Sequence, residues 1–401
     1  MKIFKINNKT NFSEICKSIK PEKVGKKLMQ KKANLNFFYI KDLKAPAANI
    51  LKQDALSIGA ELVCEKNAIL GQGESNALLM ANDKELEILS KKEALQDFGL
   101  KELSKFIKKE FLKPKKPEIM GVVNINEDSF NAASRVDTKS GISRIEKQIS
   151  DGASYIDLGG VSSRPGSKYC GSDEEFRRIK DIVAEIYRLN LHEKAKFSLD
   201  SFDEYCLEYA LNHGFSFIND ITGDTTLCKL AKKYNVTYSL MHMKGGPENM
   251  QDDPKYDDLL NEIDEFFKIK LAEIESYGVK DIVLDPGIGF GKSAIDNLFL
   301  IKHLEHFLHF NLPLFVGASR KSVINHYFKS EVKDRLPGSL YLHLKAYENG
   351  ATIIRTHDVY EHAQMFKFHS EMEKLSIWWK NEWKNDKRRI SKSGWQAKFM
   401  G

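Results

Sequence analysis

The sequence contains no run of apolar residues as long as the roughly 18 that a membrane-spanning helix needs. Its beginning, MKIFKINNKTNF, lacks the apolar stretch of a secretory signal. Cysteine is scarce as well: the five cysteines are far apart and form no CxxC pair, which excludes a zinc or dithiol motif of the usual spacing. We therefore expect a cytoplasmic protein without membrane segments, whose cysteines are reduced and structural.

Net charge is nearly absent outside the end of the chain. Residues 374–401 contain eight Lys or Arg and only Glu382 and Asp386 as acidic residues, which accounts for the whole formal net charge of +6. All four tryptophans lie there too, and basic and aromatic residues interleave in surfaces that bind single-stranded nucleic acid. An amphipathic helix that packs its tryptophans and ends in solvated basic residues explains the same pattern. We favour that interpretation and expect no nucleic-acid partner.

Lysine and proline crowd together in KKEFLKPKKPEIM, and this stretch marks a predicted domain boundary. Before it, residues 1–114 alternate short strand candidates with helical patterns, which predicts a small α/β domain without a recognisable catalytic constellation. Residues 115–373 form the predicted main domain. Residues 374–401 form a basic, Trp-rich tail.

The main domain repeats one pattern: a short apolar run ends in a polar residue and a helical stretch follows. Eight such units in about 250 residues are typical of a (β/α)8 TIM barrel. An open doubly wound sheet is the alternative, but it usually needs fewer units. The strand candidates are EIMGVVNI, YIDLGG, KFSLDS, FINDIT, TYSLMHM, DIVLDPG, PLFVGAS and TIIRTHD.

Polar side chains lie at or just past the end of nearly every strand candidate. A single Asp after a strand is more often a helix N-cap than a catalyst. Their recurrence at the strand ends, where TIM barrels carry their active sites, favours one shared site. These residues are Asn124, Asp157, Asp200, Asn219, Asp220, His242, Asp285, Ser319, Arg320, Lys321, Arg355 and His357.

The stretch LDPGIGFGKS resembles a phosphate-binding P-loop with the wrong spacing. The first glycine of that motif should stand at position 286, which is Pro286, a residue without an N–H to donate. We interpret the stretch as Asp285 at a strand tip, followed by glycines that let a flat ligand lie close to the backbone. Lys292 is expected to be a bystander, and His242 to have a packing or hydrogen-bonding role.

Several motifs in one order resemble those of the dihydropteroate synthases, across about residues 118–368. The resemblance implies an enzyme that condenses 6-hydroxymethyl-7,8-dihydropterin diphosphate with p-aminobenzoate to give dihydropteroate and pyrophosphate. It covers neither the first ~115 residues nor the Trp-rich tail. The motifs are MGVVNINEDSF, GGVSSRPGS, SLDS, INDITG, LMHMKGGPENMQ, LDPGIGFGKS, GASRKS and RTHDV.

The same resemblance implies roles for individual residues. Asp285 would anchor the pterin, Lys321 would donate to its carbonyl side, and Arg355 would lie against its ring. Asn124 would be the ligand of the Mg²⁺ cofactor. The other implied contacts are Asp200, Asn219, Met241 and Phe290 for the pterin, Ser163, Arg164, Arg355 and His357 for the diphosphate, and Phe130, Pro165 and Ser319 for p-aminobenzoate. Asn124, Lys321, Arg355 and His357 would form the catalytic set.

The first two βα loops depart from the family pattern. Val161 stands where Glu is usual, Asn126–Glu127 where Thr-Pro is common, and residues 132–134 where Asp-Gly-Gly is usual. These departures concern loop closure rather than the pterin pocket. A methyltetrahydrofolate-type pterin methyltransferase and a non-catalytic barrel homologue remain as alternatives. The methyltransferase has no diphosphate for SSRPG and SRKS to bind. Family members are commonly dimers, so we expect a homodimer.

His303, His306 and His309 recur at three-residue spacing in a predicted helix outside the barrel. No cysteine or acidic residue stands near them at a standard ligand spacing. We therefore expect no metal site there.

Overall fold

The computed structural model describes residues 1–7, 11–109, 111–112, 116–125, 134–161, 169–246, 250 and 254–375. The chain divides into two compact units, Met1–Glu110 with His369–Gly401, and Phe111–Phe368. The sequence-based limits after residues 114 and 373 lie a few residues later. The four tryptophans fall outside the described residues, so the interpretation of the tail stays a prediction. No helix in the described ranges is long and apolar enough to cross a bilayer.

The first unit contains a three-stranded antiparallel sheet with the strand order β1-β3-β2. Strand β3 buries every second side chain, so one face of the sheet packs on helices and forms a separate apolar core around Leu51, Leu79 and Leu89. Asn82 and Glu85 form a capping box that starts α4. The elements are α1 (Phe12–Ile19), α2 (Lys23–Gln30), β1 (Leu35–Lys44), α3 (Ala45–Leu56), β2 (Glu61–Cys64), β3 (Glu74–Asn82), α4 (Asp83–Glu93) and α5 (Leu100–Ile107), with a 3-10 helix at Lys66–Leu70.

The second unit contains a closed barrel of parallel strands in the order β10-β11-β4-β5-β6-β7-β8-β9. Each strand coincides with one of the eight candidates from the sequence, which confirms the TIM-barrel prediction and excludes the open sheet. The strands are β4 (Glu118–Asn124), β5 (Tyr155–Gly159), β6 (Lys196–Asp200), β7 (Phe217–Asp220), β8 (Thr237–Met241), β9 (Ile282–Asp285), β10 (Leu314–Val316) and β11 (Ala351–Thr356).

Helices connect the barrel strands, and an extensive apolar core lies between helices and strands. Gly278 ends α10 in the left-handed conformation, at φ 73°, as a helix C-cap glycine does. The helices are α6 (Ser134–Ser150), α7 (Ser172–Arg188), α8 (Glu204–Asn212), α9 (Cys228–Tyr234), α10 (Leu259–Tyr277), α11 (Ala294–Lys302), α12 (Ser322–Tyr327), α13 (Leu336–Glu348) and α14 (Val359–Lys374), with 3-10 helices at Leu191–Glu193, Thr225–Leu227, Leu304–Phe310 and Val332–Asp334.

The prediction that His303, His306 and His309 lie on one helix is wrong. Helix α11 ends at Lys302, His303 is its C-cap, and His306 and His309 lie on the 3-10 helix that follows. A 3-10 helix has three residues per turn, so His306 and His309 share a face of that segment.

A small apolar layer fills the barrel interior. Side chains alternate along a strand, so residues two or four positions further on point to the same side. Two or four positions after each residue of this layer, towards the carboxyl end of its strand, a polar residue or glycine lies at the barrel mouth. The layer consists of Met120, Tyr155, Phe217, Val283, Phe315 and Ile353, and the positions reached are Asn124, Asp157, Asn219, Asp285, Gly317 and Arg355.

Candidate active site

Arg355 joins carboxylates from two other strands at the barrel mouth. Its Nε donates to Asp157 Oδ2 at 2.6 Å, and its Nη2 donates to Asp200 Oδ2 at 2.8 Å. Asn219 Nδ2 donates to the same Asp157 oxygen at 3.1 Å. Gly317 lies beside this arginine, and a Cβ at that position would be in ordinary van der Waals contact with Arg355 Cβ, at 3.4 Å. The four strand ends therefore form one hydrogen-bonded array.

The charges in this array are buried and depend on one another. Burial raises the pKa of Asp200 to about 7, although the Arg355 guanidinium opposes that change. Burial alone would lower the pKa of Arg355, but Asp157 and Asp200 outweigh it and raise the pKa above its ordinary value. The guanidinium is thus always charged, while the Asp200 carboxylate binds a proton more readily than an exposed aspartate does.

Asp285 ends β9 with a buried carboxylate. Its Oδ1 accepts the N–H of Gly287 at 2.7 Å. Burial raises the pKa of this carboxyl group, and the Gly287 hydrogen bond and the Lys321 ammonium oppose that change. A buried carboxylate of this kind gains from a ligand that brings hydrogen-bond donors.

Lys321, in the loop after β10, supplies a positive charge that acts on Asp285. Its Nζ donates to the carbonyl oxygen of Ile288 and lies 4.5 Å from the centroid of the Phe290 ring. Burial lowers the pKa of Lys321 to about 8, with Asp285 and Asp200 acting in the opposite direction. The ammonium is held between the β9 and β10 loops and remains largely protonated at pH 7.

Two glycines of LDPGIGFGKS, Gly287 and Gly291, pack closely on protein backbone, and the approach of a flat ligand to this loop stays a prediction. A Cβ on Gly287 would lie 1.9 Å from the carbonyl oxygen of His242, and one on Gly291 would lie 2.2 Å from that of Lys244. Both glycines have positive φ, at 70° and 60°. They let the β9 loop pack on the backbone that follows β8. Ser293 caps α11 in a capping box with Asp296.

Lys292 is more than a bystander. It is 2% exposed, and its Nζ contacts His242 Nδ1 at 3.0 Å and donates to the carbonyl oxygens of His242 and Phe290. Burial lowers the pKa of Lys292 to about 7 and that of His242 to about 2. His242 is therefore neutral and accepts a hydrogen bond from Lys292, which agrees with the expected packing or hydrogen-bonding role, and the pair fixes the β9 loop to the β8 loop.

His357 is held as a neutral ring by Ser319. The backbone N–H of His357 and the Thr356 hydroxyl donate to Ser319 Oγ at 3.2 and 3.4 Å. The Ser319 hydroxyl therefore donates to His357 Nδ1, 2.9 Å away, which leaves the ring proton on Nε2. Burial lowers the pKa of His357 to about 4, and the Arg355 charge acts in the same direction.

A buried histidine pair supports this arrangement from behind. His343 Nε2 accepts the Ala318 N–H at 2.8 Å, so its proton lies on Nδ1 and is donated to His362 Nε2 at 2.7 Å. His362 Nδ1 then donates to the carbonyl oxygen of Asp358 at 2.7 Å. The β10 and β11 loops are thereby joined through two neutral rings.

The structure brings most of the predicted site residues to one end of the barrel. Met241 is buried beside Asp285 in the strand register, and Asn124 Oδ1 would lie 3.0 Å from a Cβ on Gly159. Four predicted contacts, Phe130, Ser163, Arg164 and Pro165, lie outside the described residues, and their roles stay predictions. The effect on loop closure of the departures at residues 126–127 and 132–134 likewise stays a prediction.

Sequence reasoning missed four contributors. It noted Asp157 as a strand-end residue but gave it no role, although the two-residue step from Tyr155 was a usable signal. No local pattern marked His343 or His362, which lie on helices. Lys292 was assigned no role because its motif does not have P-loop spacing. Its hydrogen bonds are to His242 in the loop after β8, a neighbour that the local sequence does not indicate.

The comparisons with known proteins agree with this geometry. The model of the family "Pterin binding enzyme" matches residues 120–357. The chain is 40% identical over 376 residues to a bifunctional dihydropteroate synthase/dihydropteroate reductase from Helicobacter pylori, covering 92% of this chain and 99% of that protein. It is 36% identical over 250 residues to a dihydropteroate synthase from Escherichia coli, covering 61% and 88%.

A solved structure supports the same conclusion. The crystal structure of the Yersinia pestis dihydropteroate synthase with a sulfonamide drug matches with a TM-score of 0.60 and 31% identity, over 66% of this chain and all of the other. The residues that the family model matches include the barrel strands that carry the array around Arg355 and Asp285. The chain therefore belongs to the dihydropteroate synthase family of pterin-binding enzymes.

Proposed function

We propose a role for each residue at the barrel mouth in the dihydropteroate synthase reaction, which the chain catalyses as a transferase. In this reaction the amine nitrogen of p-aminobenzoate bonds to the methylene carbon of 6-hydroxymethyl-7,8-dihydropterin diphosphate. The carbon–oxygen bond to diphosphate breaks, and dihydropteroate and pyrophosphate form. The observation that carries the assignment is the buried set of opposite charges formed by Arg355, Asp200, Asp285 and Lys321.

Asp285 is the proposed pterin anchor. A pterin presents a ring N–H beside an amino group, and a carboxylate can accept both in parallel. Gly287 already donates to Oδ1, which orients the carboxylate at the strand tip. Lys321, held over Phe290, donates to the pterin carbonyl side, while Met241 and Asn219 line the pocket.

Arg355 and His357 are the proposed contacts of the diphosphate. Asp157 and Asp200 fix the plane of the guanidinium, so it meets the ligand without losing side-chain freedom at that step. His357 is neutral and keeps a proton on Nε2, so it stabilises developing negative charge as a hydrogen-bond donor. Ser163 and Arg164 complete the diphosphate contacts in this proposal, and Ser319, Phe130 and Pro165 enclose p-aminobenzoate.

Asn124 is the proposed protein ligand of Mg²⁺. Its amide oxygen stands at the carboxyl end of β4 above Gly159, and an oxygen donor of this kind suits an ion that keeps waters and substrate phosphates as its other ligands. When bound, Mg²⁺ supplies charge that stabilises the departing diphosphate.

Release of pyrophosphate tests the anchor. Purified full-length protein is given dihydropterin diphosphate, p-aminobenzoate and Mg²⁺. Asp285→Asn is expected to lower kcat/KM by at least about a hundredfold, because a charged bidentate contact is lost. Asp257→Asn, an exposed position in the same unit, is the matched control and should change little. An inactive wild type would favour the non-catalytic homologue, and a fully active Asp285→Asn would reject the anchor.

A second activity, reduction of dihydropteroate, is favoured by one observation. Similarity to the bifunctional synthase/reductase extends over 92% of the chain, whereas similarity to the E. coli synthase covers 61%. The additional similarity therefore includes the N-terminal unit. Reduction adds a hydride and a proton to the dihydropterin ring, so it needs a donor such as a reduced nicotinamide or flavin nucleotide.

The reductase proposal is tested by supplying dihydropteroate directly. Full-length protein is incubated with dihydropteroate and NADH, NADPH or a reduced flavin, and the product is identified by mass. A gain of two hydrogens that a heat-denatured control does not give supports the proposal. No reduction with any of these donors would reject it, whatever the synthase activity.

The homodimeric state and the cytoplasmic location also belong to the proposal. The family resemblance supports the dimer, and the lack of a membrane-length apolar run in the sequence supports the location. Light scattering of the purified protein tests the first, where a mass near 45.9 kDa would mean a monomer. Fractionation of the producing cells tests the second.

A further inference from the structure

Two histidines and an aspartate, none of them among the strand-end residues described above, converge between α10 and the 3-10 helix Leu304–Phe310. His309 Nε2 lies 2.5 Å from Asp264 Oδ1, and His306 Nε2 lies 3.3 Å from the same oxygen. One ligand atom from each residue lies within 4.8 Å of the others. Asp264 precedes His309 by 45 residues in the chain, so no local motif marks the cluster.

The local structure holds these side chains in place. His306 and His309 lie one turn apart on the 3-10 helix Leu304–Phe310, where residues at i and i+3 eclipse each other. Their ring centroids are 5.1 Å apart. One turn along α10 from Asp264, Phe267 contacts Phe307 and Phe310 with ring centroids 5.6 and 5.9 Å apart. The two elements that carry the cluster are therefore packed together by aromatic rings.

We propose that Asp264, His306 and His309 bind a divalent transition-metal ion such as Zn²⁺. Two imidazole nitrogens and one carboxylate oxygen form a ligand set that Zn²⁺ accepts, with water at the remaining position. The imidazoles favour a transition metal over Mg²⁺, which prefers oxygen ligands, so this site differs in chemistry from that of Asn124.

Burial and charge suit such an ion. The side chains of His309 and Asp264 are 1% and 9% exposed, while that of His306 is 30% exposed and leaves a route for ion and water. Lys268 Nζ holds Asp264 Oδ2 at 2.7 Å, which turns Oδ1 towards the histidines. The bound ion replaces the protons now shared between the rings and the carboxylate. It would fasten α10 to the 3-10 helix and so stabilise the barrel.

Metal titration of untagged full-length protein, freed of metal by chelation, tests the proposal. Zn²⁺ binding is measured by calorimetry, and Co²⁺ serves as a spectroscopic reporter of nitrogen and oxygen ligation. His303→Ala is the matched control, since His303 lies on the same segment but contacts the Phe299 ring at 4.5 Å instead. One equivalent should bind to the wild type and to His303→Ala.

Removal of one metal-binding side chain should weaken Zn²⁺ binding. His306 is the best position for this test, because it is partly exposed and its loss disturbs folding least. His306→Ala is expected to bind Zn²⁺ at least about tenfold more weakly and to lose the Zn²⁺-induced rise in Tm, while its far-UV circular dichroism stays that of the wild type. Asp264→Asn should behave in the same way. Equal affinity in His306→Ala and His303→Ala, or no binding by the wild type, would overturn the site.

Discussion

At the scale of single residues, Arg355 depends on carboxylates that approach from two different strands. Its planar fork donates to Asp157 and Asp200 through separate nitrogens. A lysine is a point charge and cannot make both contacts in one fixed plane. The side chain at this position is therefore constrained in shape as well as charge.

Arg355→Lys should lower the synthase kcat/KM by at least about a hundredfold, because one of two buried carboxylates is left without its partner. Steady-state kinetics of pyrophosphate release measure this. Arg188→Lys, at an exposed pair with Glu185 in the same unit, should stay within about twofold of the wild type. Wild-type kcat/KM in Arg355→Lys would contradict the role of the fork.

Glu93 is a buried acid in the N-terminal unit. Burial raises its pKa from 4.5 to about 7, and Asp54 adds to the effect. Between about pH 4.5 and 7, the folded state keeps a proton that the unfolded chain has released, so stability falls as pH rises through this window. Above it, the folded unit carries a buried negative charge.

Glu93→Gln should therefore raise the free energy of unfolding of this unit at pH 8 by roughly 1–3 kcal/mol and change it little at pH 5. Hydrogen exchange of peptides from residues 35–107, at both pH values, measures this local stability. Glu87→Gln, at an exposed position on the same helix, is the control. A Glu93→Gln effect independent of pH would show that the charge of Glu93 is not the cause.

At the scale of elements, the backbone of the loop after β9 packs closely on the backbone of the loop after β8. Gly287 and Gly291 touch the chain after β8, and Lys292 adds hydrogen bonds to the same segment. The glycine spacing in the sequence predicted a tight turn correctly. It did not reveal that the neighbour is another loop, because that depends on which strands are adjacent.

Gly287→Ala should destabilise the barrel by about 3 kcal/mol, because the added Cβ meets the His242 carbonyl oxygen and the residue has φ 70°. Denaturant unfolding measures the change. Gly278→Ala isolates the backbone strain, since it has φ 73° but its Cβ would meet only the Lys232 side chain, at 3.6 Å. Equal losses in the two variants would mean that the contact with His242 contributes nothing.

At the scale of the whole molecule, the described chain has separate cores for the N-terminal sheet and for the barrel. Leu51 is fully buried in the first core, and Arg355, Asp285 and Lys321 are held by contacts inside Phe111–Phe368. Each unit therefore has its own source of stability.

Leu51→Ala should lower the stability of the N-terminal unit by about 2–5 kcal/mol and leave the synthase kcat/KM within about twofold. Limited proteolysis, with mapping of the cleavage sites, and pyrophosphate release measure the two effects. Leu28→Ala, at an exposed position in the same unit, should be neutral. A parallel loss of synthase activity in Leu51→Ala would show that catalysis needs the N-terminal unit.

The sequence by itself determined the eight strands, their order in the chain and the polar residues at their ends, because side-chain alternation and turn residues are local signals. Combined with the family motifs, it also predicted Asp285, Lys321 and Arg355 as site residues, and these lie at the strand ends or in the loop after a strand. Only the tertiary structure decided the partners. Arg355 meets Asp157 across 198 residues of chain, and His309 meets Asp264 across 45. Such pairs arise when the barrel closes and helices pack, and no periodicity along the chain encodes which side chains then become neighbours.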